Sequence, residues 1–365
     1  MAFTVRWGIV STGNMAHAFT KDVLLDPLKD IKHVLSAVSS TSLERGKAFL
    51  DEFSSKGQVY GSVEELARDP LVDAIYIASP TSMHYPHALA CLKARKAVLL
   101  EKAFTLNAKQ AAHLIQVSKE NNLYLAEALW TRYLPITKAI KRLLHTDRVL
   151  GKLIRVSADL AITYGAKDLT HNLRNAWQGG GALLAVGVYP LTWAMLSLFE
   201  HPDNAREMPR VDASMILTDA NVAAAVNSVA TDETTTVLLT FPRLKATAIA
   251  KSTLLASTLP GPSVVIQGEL GNIIIPVSAH RPASFTLELY KTESEPARTE
   301  THDEFVIPGR GLFYQADVLG RALRNGRIEP DECRHDDTLA LMEVLDKVRE
   351  LGQFVYPGDL EHLKQ

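Results

Sequence analysis

Ala97-Val-Leu-Leu-Glu101-Lys102-Ala-Phe-Thr105 reads as a buried strand that stops abruptly in a carboxylate and an ammonium. Residues 97–100 are four consecutive apolar side chains, the pattern of a strand covered on both faces in a parallel sheet. The carboxyl ends of such strands are where open α/β sheets bind ligands. Glu101 and Lys102 therefore stand where chemistry is expected. A salt bridge at a strand end is the plain alternative.

On either side of this stretch, residues 5–128 alternate apolar strands (5–10, 33–38, 74–79, 97–102, 123–128) with amphipathic helices (42–53, 62–68, 83–94, 107–121). The spacing predicts right-handed βαβ units and an α/β fold, with an N-terminal Rossmann-type, doubly wound parallel sheet. The first strand runs into Ser11-Thr12-Gly13-Asn14-Met15-Ala16, where strand, tight turn and helix follow as at a dinucleotide-binding turn. Ser11 takes the first glycine slot of G-x-G-x-x-G/A. Gly13 leaves room for a pyrophosphate, and the helix start offers N–H groups to an anion. A plain turn between strand and helix fits the same residues. After the second strand no acid precedes Glu44; Ser39, Ser40 and Arg45 are there instead. Hydroxyls and a guanidinium suit a 2′-phosphate that a carboxylate would repel, so the expected cofactor is NADP(H). The serines also suit a helix cap. After the strand at 74–79, Ser79, Pro80 and Thr81 set a turn. His84 then falls in the first helical turn, either as a cofactor contact or as a structural residue.

The chain has 365 residues, a net charge of −2, 47% hydrophobic and 22% charged residues. That is ordinary for a globular chain long enough for two domains, and gives no footing for nucleic acid or a membrane surface. Cys91 and Cys333 follow no metal-ligand or redox spacing, so no metal site is expected and the setting is a reducing, cytoplasmic one. The N-terminus enters a strand with no signal-peptide pattern. Residues 183–199 are nearly all apolar and read as a core helix.

The remainder predicts a helix at 134–146, a strand at 153–160 and a loop at 163–180. In that loop His171, Arg174 and Trp177 suit a substrate cleft, or else a surface loop with its tryptophan tucked under. From residue 210 onward, strands at 211–218, 234–241, 246–253, 263–268, 272–276 and 285–290 predict a largely antiparallel open sheet. Polar loops lie at 204–206 and 293–302, and helices close the chain at 312–325 and 335–351. The expected division is an NAD(P)-binding domain at 1–128 and an α+β substrate domain at 129–365, the last helix returning to the first domain.

Glu101-Lys102-Ala103, residues 80–84 and Ala185-Val-Gly187-Val-Tyr189, in this arrangement, resemble the Gfo/Idh/MocA oxidoreductases. The blocks at 101–105, Glu127-Ala-Leu-Trp130-Thr-Arg132-Tyr-Leu-Pro135 and 179–193 resemble the branch of fungal D-xylose dehydrogenases and dimeric dihydrodiol dehydrogenases. The resemblance spans nearly the whole chain. It implies hydride transfer between a nicotinamide and a hydroxyl or carbonyl of a small sugar, polyol or cyclic diol. Lys102 would hold the reacting oxygen and lower the pKa of the Tyr189 phenol, which exchanges the hydroxyl proton. Glu101 would hold the cofactor or the lysine, Trp130 and Arg132 would wall the cleft, and the C-terminal sheet would form a homodimer. Ala103 replaces the family's usual proline, as it also does in the pentose dehydrogenase branch. Ala185 replaces its usual aspartate, which on a helix would share a face with Tyr189. Loss of that acceptor predicts weak oxidation of D-xylose and D-glucose and a preference for a less hydroxylated, cyclic substrate. It also leaves open a non-redox lyase, isomerase or cyclase of secondary metabolism on the same scaffold.

Overall fold

The computed structural model describes residues 3–25, 27–28, 30–163, 171–225 and 229–364. The chain forms two compact units. The first holds Met1–Tyr133, Ile307–Leu339 and Glu361–Gln365, and the second Leu134–Val306 and Ala340–Leu360.

In the first unit β1 (Phe3–Val10), β2 (Ile31–Ser39), β3 (Gln58–Tyr60), β4 (Ala74–Ile77), β5 (Ala97–Glu101) and β6 (Leu125–Ala128) make a parallel sheet in the order β3-β2-β1-β4-β5-β6. The strands are joined through α1 (Asn14–Val23), α2 (Leu43–Glu52), α3 (Val63–Ala67), α4 (Thr81–Lys93) and α5 (Ala108–Asn121). Every residue of β4, β5 and β6 is buried, as in strands covered on both faces, the carboxylates Glu101 and Glu127 included. Three helices start on a side-chain cap, where Ser42, Ser62 and Asn107 accept from backbone N–H groups one turn on. Strand order reverses between β1 and β4, the switch point at which such sheets bind ligands. The turns at Ser11 and Ser79 both leave the sheet there.

The second unit begins with α6 (Pro135–His145) and centres on an eight-stranded sheet. Its strands are β7 (Leu153–Ala161), β8 (Arg210–Leu217), β9 (Asp232–Phe241), β10 (Ala246–Thr253), β11 (Pro262–Gly268), β12 (Gly271–Pro276), β13 (Phe285–Leu289) and β14 (Arg298–His302). The order is β14-β13-β12-β11-β7-β10-β9-β8; β7 and β10 pair in parallel and the other pairings are antiparallel. β14 corrects the expected polar loop at 293–302. Arg298, Glu300 and His302 give it the charged composition of a protected edge strand, which hides it from any apolar pattern.

A continuous helical rod packs on β7 and β10. It consists of a π-helical turn (Leu183–Gly187), α7 (Val188–Ala194) and a second π-helical turn (Met195–Phe199). The helix containing it is long and apolar enough to cross a membrane, but 94% of its apolar window is buried in the protein, so it is the core helix expected. Gly187 allows the close approach, because a Cβ there would stand 2.8 Å from Ser252 Oγ on β10. A short α8 (Ala220–Ala224) follows β8. The chain closes with α9 (Phe313–Arg324), which packs on β1 and β2, and α10 (His335–Leu351), whose first residues belong to the first unit.

Candidate active site

Ser11 adopts φ +86°, a left-handed conformation that glycine would take more easily. Its N–H donates to the Ser39 carbonyl (3.0 Å), and its hydroxyl accepts from the Gly13 N–H (3.2 Å). Gly13 itself has an ordinary φ of −84°. A Cβ there would meet only Ser11 Oγ, at 3.5 Å, so the fold alone would admit alanine. The open space beside Gly13 is of use to a ligand. α1 starts with no side-chain cap and no acid in its first turn, leaving its N–H groups to an anion. Thr12, Asn14 and Met15 complete this turn, and the residues fit a dinucleotide pyrophosphate.

At the end of β2, Ser39 and Ser40 are buried and Arg45 is exposed. Ser40 Oγ accepts from the Ser42 N–H (3.3 Å), and the Arg45 guanidinium donates to Thr41 Oγ1 (3.1 Å). A guanidinium and hydroxyls thus meet at one corner with no carboxylate among residues 39–42, which fits a 2′-phosphate.

The Lys102 turn is pinned at three successive residues. Glu101 Oε1 accepts from the Tyr76 hydroxyl, and its Oε2 accepts from the Lys102 N–H (3.2 Å). The Ala103 carbonyl lies 2.8 Å from His84 Nδ1. The Phe104 N–H donates to Glu127 Oε1 (3.2 Å). His84 Nε2 meets the Ser79 carbonyl at 2.9 Å, and Ser79 Oγ meets His87 Nδ1 at 3.0 Å. Burial pushes His84 down to about 4, so the neutral ring donates to one carbonyl at a time. Both its nitrogens are committed to main chain, which makes it a brace for the turns at Ser79 and Ala103. Burial lowers Lys102 from its ordinary value while the Glu101 and Glu127 carboxylates pull it back up. Burial raises Glu101 and pushes Glu127 up to about 7. Pro80 is exposed and Thr81 half-buried where α4 begins.

Trp130 and Arg132 lie in a buried 3₁₀ turn, Trp130–Tyr133. The Arg132 guanidinium pairs with Asp337 (3.3 Å), both side chains at most 3% exposed, and its Nε donates to the Glu332 carbonyl (2.9 Å). It is an interior ion pair of the first unit.

In the second unit Tyr189 is buried on α7, its ring centroid 5.5 Å from that of His280. One turn on, Trp193 Nε1 donates to the Ala279 carbonyl (2.8 Å) and holds the segment carrying His280. Ala185 is buried in the π-helical turn. Asp232, on β9, anchors the start of this rod, its Oδ2 accepting from the Leu183 N–H (2.6 Å) and the Thr235 hydroxyl (2.8 Å). Of the loop residues expected to touch substrate, Arg174 is buried and ion-paired with Glu233. His171 accepts from the Leu173 N–H (3.3 Å), and Trp177 is 49% exposed. The stretch 164–170 of that loop lies outside the described residues. Sequence reading passed over Glu127, His280 and Asp232. For Glu127 the signal existed, since a charge inside a buried strand marks it as it marks Glu101.

A family model described as an oxidoreductase family with an NAD-binding Rossmann fold matches residues 5–128. The chain is 34% identical to D-xylose 1-dehydrogenase (NADP+) of Hypocrea jecorina, over 97% of this chain and 94% of that protein. The chain belongs to the Gfo/Idh/MocA family. This Gfo/Idh/MocA protein is an NAD(P)-binding oxidoreductase of the dehydrogenase type, acting on CH–OH groups. It is 29% identical to trans-1,2-dihydrobenzene-1,2-diol dehydrogenase of Danio rerio, over 97% of this chain and 99% of that one. Among solved structures, KijD10, a 3-ketoreductase from Actinomadura kijaniata, shares the fold with a TM-score of 0.75 at 24% identity, covering 95% of this chain and 97% of its own.

Proposed function

We propose that this oxidoreductase is NADP-dependent and interconverts a hydroxyl and a carbonyl on a small sugar, polyol or cyclic diol, with Lys102 and Tyr189 as its catalytic pair. The observation that carries the reading is the pinned Lys102 turn, a lysine with a lowered pKa projecting from backbone that Glu101, His84 and Glu127 hold still. When bound, the nicotinamide supplies or accepts the hydride. Residues 11–15 hold the pyrophosphate, Ser39, Ser40 and Arg45 the 2′-phosphate, and Ser79, Pro80 and Thr81 the next part of the cofactor. The Lys102 ammonium donates a hydrogen bond to the substrate oxygen and favours ionisation of the phenol. In oxidation Tyr189 takes the hydroxyl proton; in reduction it returns it. The NADP+-named D-xylose dehydrogenase relative supports the cofactor choice.

The named substrates of the relatives are a pentose and a cyclic diol. The methyl group of Ala185 favours the second, because a polyhydroxylated substrate would leave one hydroxyl without its acceptor in a closed site. The test is NADPH absorbance across pentoses, hexoses and cyclic diols for the native chain and for Ala185→Asp. Turnover of cyclic diols above pentoses, with pentose activity gained in the variant, is expected. Efficient native pentose oxidation would overturn the cyclic preference. No redox change with any substrate, alongside tight NADPH binding, would favour the lyase or isomerase reading that Ala185 leaves open.

We also propose a homodimer through the open face of the eight-stranded sheet. Cross-strand pairing lines up Leu238, Ile249, Ser157, Val265 and Ile274 in one row, with Leu238 38% and Ile249 43% exposed. A row in which four of five residues are apolar, on an exposed sheet face, suits burial against a second copy. Free, buried Cys91 and Cys333 suit a cytoplasmic enzyme.

A further inference from the structure

Glu127 sits on β6, its cross-strand partner on β5 being Leu100, one residue before Glu101. It is 2% exposed. One carboxylate oxygen accepts from the Phe104 N–H and the other from the Thr338 hydroxyl, each at 3.2 Å. Burying a carboxylate costs stability that an apolar side chain would not, so its retention calls for a use. The ionisable groups around it come from four elements. Glu101 and Lys102 lie at the end of β5, with Tyr76 of β4 behind Glu101. Arg132 and Tyr133 belong to the 3₁₀ turn after β6, and the Tyr133 hydroxyl donates to the Glu127 carbonyl. Cys333 and Asp337 flank the start of α10. Arg132 is ion-paired with Asp337 and also favours the ionised Glu127. Lys102 has Glu101, which is already shared with the Tyr76 hydroxyl, and Glu127.

We propose that Glu127 is a positioning residue for Lys102: it is the second carboxylate that keeps the half-buried lysine an ammonium, while its bond to the Phe104 N–H fixes the chain from which the lysine projects. The assignment rests on the reading of Lys102 as catalytic. Removing the negative charge lowers the pH at which Lys102 loses its proton, because a nearby anion favours the charged lysine. Burial holds the Glu127 carboxyl up to about 7, so it supplies this charge at and above neutral pH, where Lys102 must remain an ammonium.

The test reads Lys102 directly, in the full chain without cofactor. Its acetylation rate by acetic anhydride is followed against pH by mass spectrometry of the Lys102 peptide. Glu127→Gln keeps an oxygen for the Phe104 N–H and removes the charge. Its Lys102 midpoint falls by about one pH unit or more, and the basic limb of kcat/KM falls with it, while the dissociation constant for NADPH holds. Thr338→Val removes a hydroxyl that favours the ionised Glu127; it moves the midpoint in the same direction by less, and serves if Glu127→Gln fails to fold. An unchanged Lys102 midpoint in a folded variant overturns the proposal. A midpoint that moves while the kcat/KM limb stays supports the role of Glu127 and counts instead against Lys102 as catalytic.

Discussion

Gly181→Ala tests how the rod carrying Tyr189 is anchored. Gly181 has φ +125°, and holding an L-residue in so sparsely populated a region costs about 1–3 kcal/mol. A Cβ there would also overlap Asp232 Oδ1 and stand 3.3 Å from its Cγ. Asp232 would have to withdraw from the Leu183 N–H at 2.6 Å or the Thr235 hydroxyl at 2.8 Å. A hydrogen bond to a charged group is worth about 1.5–3 kcal/mol. If one of the two is lost, the total is roughly 2.5–6 kcal/mol, a large part of the roughly 5–15 kcal/mol that holds a typical native protein together. The assay is urea unfolding followed by tryptophan fluorescence and far-ultraviolet circular dichroism. In an Asp232→Ala background the collision is gone, and Gly181→Ala should cost only the backbone share of about 1–3 kcal/mol. A single variant within about 1 kcal/mol of the native chain would refute the anchoring argument.

Lys102→Met should lose on the order of 100-fold or more in turnover while NADPH binding and fold persist, checked by steady-state kinetics and fluorescence titration. NADPH should bind more tightly than NADH, and Arg45→Ala should erase the difference; equal or tighter native binding of NADH would sink the assignment of the 2′-phosphate corner. Stability should also respond to pH through Glu127, held up to about 7 by burial. An acid whose folded pKa is raised contributes most below its ordinary value, and that contribution is lost as pH rises from about 4.5 to about 7. His84 and His145, pushed down to about 4, act in the opposite direction, so the comparison is with Glu127→Gln. Relative to the native chain the variant should gain stability as pH climbs through that window, measured by urea midpoints; a constant difference would refute it.

The parallel sheet was legible because β4 and residues 97–100 of β5 are unbroken apolar runs between helical patterns, and the antiparallel one because β8, β10 and β13 alternate more and less buried positions. β3 and β14 were not, being short or polar edge strands whose place is set by neighbours. Sequence marked Lys102 by its position at a strand end, but charge alone does not tell a ligand-facing cation from a buried one. Arg132 and Arg174 carry the same signal, yet each has a carboxylate partner from a distant part of the chain, Asp337 and Glu233. The ring pair of Tyr189 and His280 was equally out of reach, since it depends on Trp193 gripping the Ala279 carbonyl across 86 residues.

The first unit is completed by residues far along the chain. Asp22 accepts from the N–H groups of Arg310 and Leu312, and His33 Nε2 meets Asp317 at 2.9 Å. The Leu125 N–H on the outermost strand, β6, donates to the Ile328 carbonyl. The cofactor-binding unit therefore leaves the ribosome well ahead of the residues that finish it. Until residue 339 has emerged, the β6 edge stands open to pairing with other chains, as any uncovered strand does. Cutting the gene at the end of β6 should give no minimal nucleotide-binding module.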